Sequence, residues 1–445
     1  MKKILVYCFL FFTFYNASAQ TWNALGVGVN NTVESLLAHD SVLYVGGIFD
    51  SAGGGLSRGI AQWNGKTWSS VGSGFGPTGG YGVSAMAWYR GELYVGGSFN
   101  KADGKLAHNI ARWDGKNWAV VDSGTNGYIN ALTEYNGELY AAGGFTTAGE
   151  ISTFGIAKWN DTVWSSVGSA KVTGGTPSSL AVYMGNLYMG GAMDSVDHIH
   201  VSGIAEWNGV KWDSLSNNKW NNDFGFLYAD DSVLYGGGAG GSHSGLINFF
   251  GQWNGTYWDS VPDTRNNVNL PVNAIISNNG MVYAGGWFDS IGGVYSQSIA
   301  MWDGKKWNAM SYGIQPLSAG VQALAVFDSS VYAGGTFHYA EGNRVNNIAE
   351  WCISGCVTGI SKFSEHTVAK AFPNPSNGTF TFNFSANNEK AYLTIYNMLG
   401  ENIYNTQFNT SATQIDLSGR PAGVYLYRVV NEKGEALASG KLIVQ

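Results

Sequence analysis

Short apolar stretches of about four to six residues recur along this chain, each closed by glycine, asparagine or aspartate. In the first set they run from Val33 to Ala38, Val42 to Gly46, Gly59 to Trp63 and Thr67 to Val71. Stretches this short, rich in β-branched and aromatic residues and bounded by turn formers, predict strands rather than helices. Asn64-Gly65, between the third and fourth stretches, is a two-residue hairpin signal, echoed by Asp114-Gly115, Asn208-Gly209, Asn254-Gly255 and Asp303-Gly304. That turn predicts that Ala61 pairs with Trp68, a small residue opposite an indole.

The set of four repeats. Leu/Val-Tyr-x-Gly-Gly recurs around Tyr44, Tyr94, Tyr188, Tyr283 and Tyr332, with variants at Tyr140 and Tyr235, and successive tyrosines stand 50, 46, 48, 47, 48 and 49 residues apart. Each tyrosine is followed by a tryptophan 19 residues on (18 for Trp253), and five residues later by a second: Trp63 and Trp68 in the first repeat, Trp302 and Trp307 in the sixth. The last repeat stops after Trp351 without its second tryptophan. The chain opens after its leader with an unpartnered Thr21-Trp22-Asn23-Ala24-Leu25, which matches Lys306-Trp307-Asn308-Ala309-Met310. The two fragments complete each other. The expected fold is all-β: a seven-bladed β-propeller of four-stranded sheets, closed by the N-terminal strand and followed by a small C-terminal β-sandwich. The period and the double glycine after an apolar strand resemble the kelch propeller over residues 20–357. The paired tryptophans depart from that family, and the resemblance implies architecture only, since such propellers host enzymes and binding scaffolds alike.

Beyond a linker at 358–370 the pattern changes. Ala371-Phe372-Pro373-Asn374-Pro375, then Gly378-Thr379-Phe380, Gly423-Val424-Tyr425 and the closing Lys441-Leu442-Ile443-Val444-Gln445 mark a compact β domain at 371–445. In order and spacing they resemble the C-terminal sorting domain of the type IX secretion system of Bacteroidetes. That resemblance implies recognition at the outer membrane by the secretion machinery, cleavage of the tail, and cargo that is released or attached to the outer cell surface.

The other end agrees. Residues 1–19 carry Lys2 and Lys3, an apolar run from Ile4 to Tyr15 and Ala17-Ser18-Ala19, the form of a secretory signal peptide, so the route runs via the periplasm and Gln20 starts the mature chain. No other stretch is long and apolar enough for a transmembrane segment. In an exported protein Cys352 and Cys356 are expected as a disulfide, with Cys8 leaving in the leader. Formal charge is −7, and more negative still without Lys2 and Lys3, so no basic surface is offered to nucleic acid.

Fourteen of the 17 tryptophans occupy repeat positions and belong to structure. Trp88, Trp220 and Trp287 do not. In an antiparallel four-stranded blade the second-to-third and blade-to-blade connections share one end, which puts Trp220 and Trp287 on a common loop-bearing face with Phe75, Tyr81, Tyr128, Phe224 and Tyr312. Ten residues before each repeat tyrosine stand Glu34, Ser84, Asn130, Ser178, Gly225, Asn273 and Gln322, polar in six of seven repeats and expected to ring the mouth of the axial channel. Glu34 is the one carboxylate of that ring, whereas glycoside hydrolysis normally uses two; Asp223 is available from a loop. Asp194, Asp197, His198 and His200 cluster in one loop, which reads as polar surface rather than a metal site. No phosphate loop, Gly-x-Ser-x-Gly elbow or His-Glu-x-x-His motif appears, so neither cofactor nor metal is expected. The expected protein is a secreted or surface-attached module that binds an extracellular glycan or protein through its loop-bearing face. The alternative is a secreted polysaccharide-degrading hydrolase or lyase with Glu34 as acid or base, and a purely structural surface protein is the third reading.

Overall fold

The computed structural model describes residues 21–75, 82–169, 171–215, 224–238, 249–261, 268–315, 320–353, 369–384, 391–397, 402–408, 412–431 and 436–445. Every described regular element is a strand. The chain divides into two compact units, Met1–Cys356 and Val357–Gln445.

The larger unit is a β-propeller built of four-stranded antiparallel sheets. Numbered in chain order by their first strands, sheets 1 to 7 begin at Val33–His39, Val83–Tyr89, Ile129–Tyr135, Pro177–Tyr183, Phe226–Ala229, Val272–Asn278 and Val321–Phe327. In sheets 1 to 6 all four strands are consecutive in the chain apart from small hairpins in the connections. Sheet 7 differs. Its fourth strand is Trp22–Ala24, which pairs antiparallel with Ile348–Cys352 in the register Trp22↔Trp351, Asn23↔Glu350 and Ala24↔Ala349. The first strands pack side by side, and Val33–His39 lies against both Val83–Tyr89 and Val321–Phe327.

Within a sheet, the turn between the third and fourth strands differs from the two-residue hairpin that Asn64-Gly65 predicts. Four residues lie between the paired Trp63 and Trp68, and Ala61 faces Ser70 rather than Trp68. The cause is the asparagine side chain: Asn64 Oδ1 accepts the backbone N–H groups of Lys66 and Thr67, at 3.0 and 2.7 Å, which stabilises a wider turn. Asp114, Asn160, Asn208, Asn254 and Asp303 do the same. Directly opposed tryptophans are the result, with ring centroids 5.2 Å apart and planes tilted 49° for Trp63 and Trp68. Trp22 and Trp351, distant in sequence, repeat that arrangement at 5.3 Å and 53°.

Sheet-to-sheet packing explains the paired glycines. A Cβ on the first, Gly46, would lie 2.5 Å from Val83 Cγ1 of the next sheet, and on Gly334 of sheet 7 it would lie 2.4 Å from Val33 Cγ1 of sheet 1. A Cβ on the second, Gly47, would lie 2.1 Å from the backbone oxygen of Thr32 in its own sheet. Both positions exclude any side chain for want of space. Several of the second tryptophans bind neighbouring sheets at the rim: Trp118 donates its indole N–H to Val71 O at 3.0 Å, and Trp212 to Val167 O at 3.2 Å. The N-terminal segment enters the same relay from both sides, since Trp22 donates to Met310 O at 3.1 Å while Leu25 O accepts from Trp68 at 2.7 Å.

The smaller unit has a three-stranded sheet (Ala369–Phe372, Thr379–Phe384, Ala412–Asp416) and a four-stranded one (Asn402–Phe408, Ala391–Tyr396, Gly423–Asn431, Ala436–Val444). Phe380, Phe382, Ile415, Leu393, Ile395, Val429 and Leu442 from the two sheets share one buried core. Tyr425 of the Gly-Val-Tyr motif donates its hydroxyl to Pro421 O at 2.7 Å.

Candidate functional site

The polar position at the start of each first strand is the extra residue of a β-bulge. In sheet 1, Val33 pairs with Gly47 and Ser35 with Gly46, so Glu34 has no partner across the ladder. Ser84, Asn130, Ser178, Asn273 and Gln322 are skipped in the same way in their sheets. A bulge re-aims its side chain out of the alternating pattern. These six residues are all half-buried, and they sit at the end of the sheet where the Gly-Gly pair leads into the long connection.

Several of them reach to the neighbouring sheet. Asn130 Nδ2 donates to Pro177 O at 2.9 Å, Asn273 Nδ2 to Val321 O at 3.3 Å, and Ser84 Oγ to Glu34 Oε2 at 3.1 Å. These positions are therefore part lashing between sheets and part open polar surface. Glu34 packs closely on Gly82, where a Cβ would lie 2.8 Å from its Oε2. Burial pushes its carboxyl above the ordinary carboxylate range, and the Ser84 hydroxyl partly opposes that shift.

Two residues that the sequence singles out separately are brought together. Trp287 and Asn273 line a cavity of about 390 Å³ with Gly225, Gly238, Leu270 and Pro271. Trp287 is 38% exposed, whereas the paired tryptophans are buried or, at Trp68 and Trp302, half-buried. Its indole is backed by a glycine: a Cβ at Gly320, just ahead of sheet 7, would stand 2.9 to 3.0 Å from Cε2, Nε1 and Cδ2, near-equal distances that put it over the face of the five-membered ring. A second cavity, of about 330 Å³, lies between the connections of sheets 2 and 3 and is lined by Ser98, Asn100, His108 and Asn126 among others.

The remaining candidates divide. Phe75 and Phe224 are core, edge-on to Trp118 and tilted on Trp258, while Tyr128 and Tyr312 are exposed. Trp220, Tyr81 and Asp223 lie outside the described residues. Trp88 stacks on His39 of sheet 1 with centroids 3.6 Å apart. The loop with Asp194, Asp197, His198 and His200 forms a small hairpin, Ser195–Val196 with Ile199–His200, and Asp197 Oδ1 accepts the Ser169 N–H at 2.9 Å. Among the described residues no group of three or more His, Cys, Asp or Glu is placed to hold a metal. Cys352 is disulfide-bonded, and Cys356 lies outside the described residues.

Other residues emerge only from the structure. Tyr89, Tyr135 and Tyr183, at the far ends of first strands, donate their hydroxyls to Gly137 O, Gly185 O and Ser232 O of the following sheets at 3.0 to 3.1 Å. Their spacing of 46 and 48 residues was the available signal. Glu341 accepts from Thr21 Oγ1 at 3.0 Å, from the Trp22 N–H at 3.4 Å and from Ser311 Oγ, clamping the N-terminal strand. Burial by itself would raise its carboxyl, but these hydrogen bonds together outweigh burial and hold it below the ordinary range.

Comparison with known proteins separates the two units. Residues 370–445 match the family model of the secretion system C-terminal sorting domain. The protein is exported by type IX secretion, to the cell surface or beyond it. Among solved structures the chain is similar to the extracellular domain of the one component system BT4673 from B. thetaiotaomicron, at 11% identity and a TM-score of 0.45, over 95% of this chain and 57% of that one. It thus spans little more than half of that relative. It is also similar to the β-propeller domain of the Trilobed protease from Pyrococcus furiosus, at 10% identity and a TM-score of 0.41, over 72% of this chain and 95% of that one. A third similarity is to YCF48 bound to D1 peptide, at 10% identity and a TM-score of 0.46, over 75% of this chain and 97% of that one. No curated protein matches the sequence.

Proposed function

We propose that the seven sheets are the blades of one kelch-like propeller, completed by Trp22–Ala24 after cleavage behind Ala19, and that it serves outside the cell as a binding module acting through its loop-bearing end. Support for ring closure comes from the N-terminal strand, whose tryptophan pair, indole hydrogen bonds and cross-sheet glycine contact reproduce those of the contiguous sheets. The binding reading is carried by one observation: the exposed Trp287 and the polar Asn273 meet in a cavity at the loop-bearing end, on a scaffold whose repeat tryptophans are committed to packing. The partners of this reading are the type IX machinery, through the tail, and an extracellular glycan or protein, through the propeller.

A polymer chain attached at Leu106→Cys, on the loop-bearing end, should block ligand binding by the mature protein in a glycan-array or surface-protein assay. The same polymer at Lys116→Cys, in a turn at the opposite end, should not. Blocking by the second and not the first overturns the assignment of the binding end. The hydrolase or lyase reading rests on the raised carboxyl of Glu34, the condition of a general acid. Reducing-sugar release abolished by Glu34→Gln would establish it. Absence of release across the glycans that bind would remove it.

A further inference from the structure

The cavity beside Trp287 arises where the repeat breaks its own rule twice, in adjacent sheets. The residue four places after the repeat tyrosine is small or aliphatic in the other repeats, Ile48, Ser98, Gly144, Ala192, Ala239 and Thr336, but in sheet 6 it is Trp287. The bulge position carries a polar side chain in six repeats, but in sheet 5 it is Gly225. One departure adds the largest side chain and the other deletes one, and Gly225 and Trp287 line the same 390 Å³ space. In an array of near-equal units, paired departures that create a cavity have no use in packing, because a cavity forfeits contacts.

The walls state which chemistry fits. None of the described lining residues is ionisable, so among them a charged ligand group would find no counter-charge for the hydration it loses. The indole is backed by Gly320 and therefore offers a preset flat apolar surface. Asn273 lines the cavity and uses its Nδ2 toward Val321 O, so the acceptor it has to spare for a ligand is Oδ1. A flat apolar plate beside a hydroxyl acceptor, without charge, matches a pyranose, whose C–H face is apolar and whose rim carries neutral hydroxyl donors.

Building on the loop-end reading above, we infer that this cavity is a subsite for one neutral sugar ring of an extracellular glycan, with Trp287 as the stacking plate and Asn273 Oδ1 as the hydroxyl acceptor. The test measures binding of the mature full-length chain to labelled neutral tetrasaccharides of glucose, mannose, galactose and xylose, with trigalacturonate as the acidic comparison. At least one neutral tetrasaccharide should bind, and its affinity should fall tenfold or more with Trp287→Ala. Trp287→Phe should retain most of the affinity, Asn273→Ala should cost about three- to tenfold, and Val210→Ser, exposed in a turn at the opposite end, should change nothing. Gly320→Ala supplies a variant that does not touch the sugar: its methyl displaces the indole, and the affinity should fall while the melting temperature of the remaining sheets holds. Neutral-sugar binding that survives both Trp287→Ala and Gly320→Ala overturns the subsite while leaving a loop-end site intact if the Leu106 polymer still blocks it. Binding of trigalacturonate alone, of a protein alone, or of no saccharide also overturns the inference.

Discussion

Replacing Trp22 by alanine tests the role of the N-terminal strand most directly. Trp22 is 2% exposed, faces Trp351 at 5.3 Å and donates its indole N–H to Met310 O at 3.1 Å. Truncating a fully buried tryptophan costs roughly 3 to 5 kcal/mol, and the orphaned Met310 carbonyl keeps the expected loss near the middle of that range, about 4 kcal/mol. For a unit of this size each kcal/mol corresponds to roughly 2 °C, so the propeller transition should fall by about 8 °C. Trp118, 1% exposed and bonded to Val71 O inside a contiguous sheet, is the matched control. Thermal unfolding of the mature chain, followed by differential scanning calorimetry, should show Trp22→Ala and Trp118→Ala equally damaging to within about 1 kcal/mol. A silent Trp22→Ala beside a damaging Trp118→Ala refutes the idea that the first strand of the chain completes the last sheet.

Three further outcomes follow from the geometry. Gly334→Ala drives a methyl against Val33 across the boundary between sheets 7 and 1 and should cost about 1 to 3 kcal/mol by denaturant titration, whereas Gly55→Ala, whose Cβ meets only Ala52 O at 3.6 Å, should stay within about 0.5 kcal/mol. The folded-state pKa of Glu34 is raised, so the stability it contributes is present when the carboxyl is protonated and is lost as pH climbs through the folded value. Glu34→Gln should therefore match the parent at low pH and melt progressively higher than it toward neutrality, and a difference that does not vary with pH would contradict buried ionisation. Peptide mapping without reduction should recover Cys352 joined to Cys356; a five-residue ring contributes only about 2 kcal/mol, so Cys352→Ser should lower the melting temperature by a few degrees, and a linkage to another residue would reject the pairing.

The repeat period made the sheets readable from the sequence because each sheet must bury a Trp pair, a tyrosine and two glycines at fixed places. The tail was readable because its turn residues are themselves the motif. The hairpin register was not, since Asn64-Gly65 favours a tight turn locally while Asn64 Oδ1 captures two amides and widens it. The bulges were also hidden. A polar residue at Glu34 or Asn273 reads as an interruption of an apolar strand, and its link to the second glycine appears only when the Thr32 carbonyl is seen occupying the space of a side chain. Trp287 and Asn273 are neighbours through the register of sheet 6, with Val272 opposite Gly286 and Asn273 skipped, whereas the approach of Gly225 from sheet 5 and of Gly320 ahead of sheet 7 depends on how the sheets are offset, which spacing along one chain does not encode.

The clamp on the N-terminal strand has a mechanical consequence. Ile348–Cys352 is the last strand before the chain departs toward its export tail, and it lies between Ser330–Gly335 and Trp22–Ala24. Pulling that strand out of the sheet means breaking its pairings on both flanks. Cys352 N–H to Thr21 O, at 3.5 Å, is the outermost rung on one flank, and the Glu341 carboxylate fastens Thr21 beside it. The seam where the polypeptide joins itself is thus also where a hauled or tethered protein would carry its load.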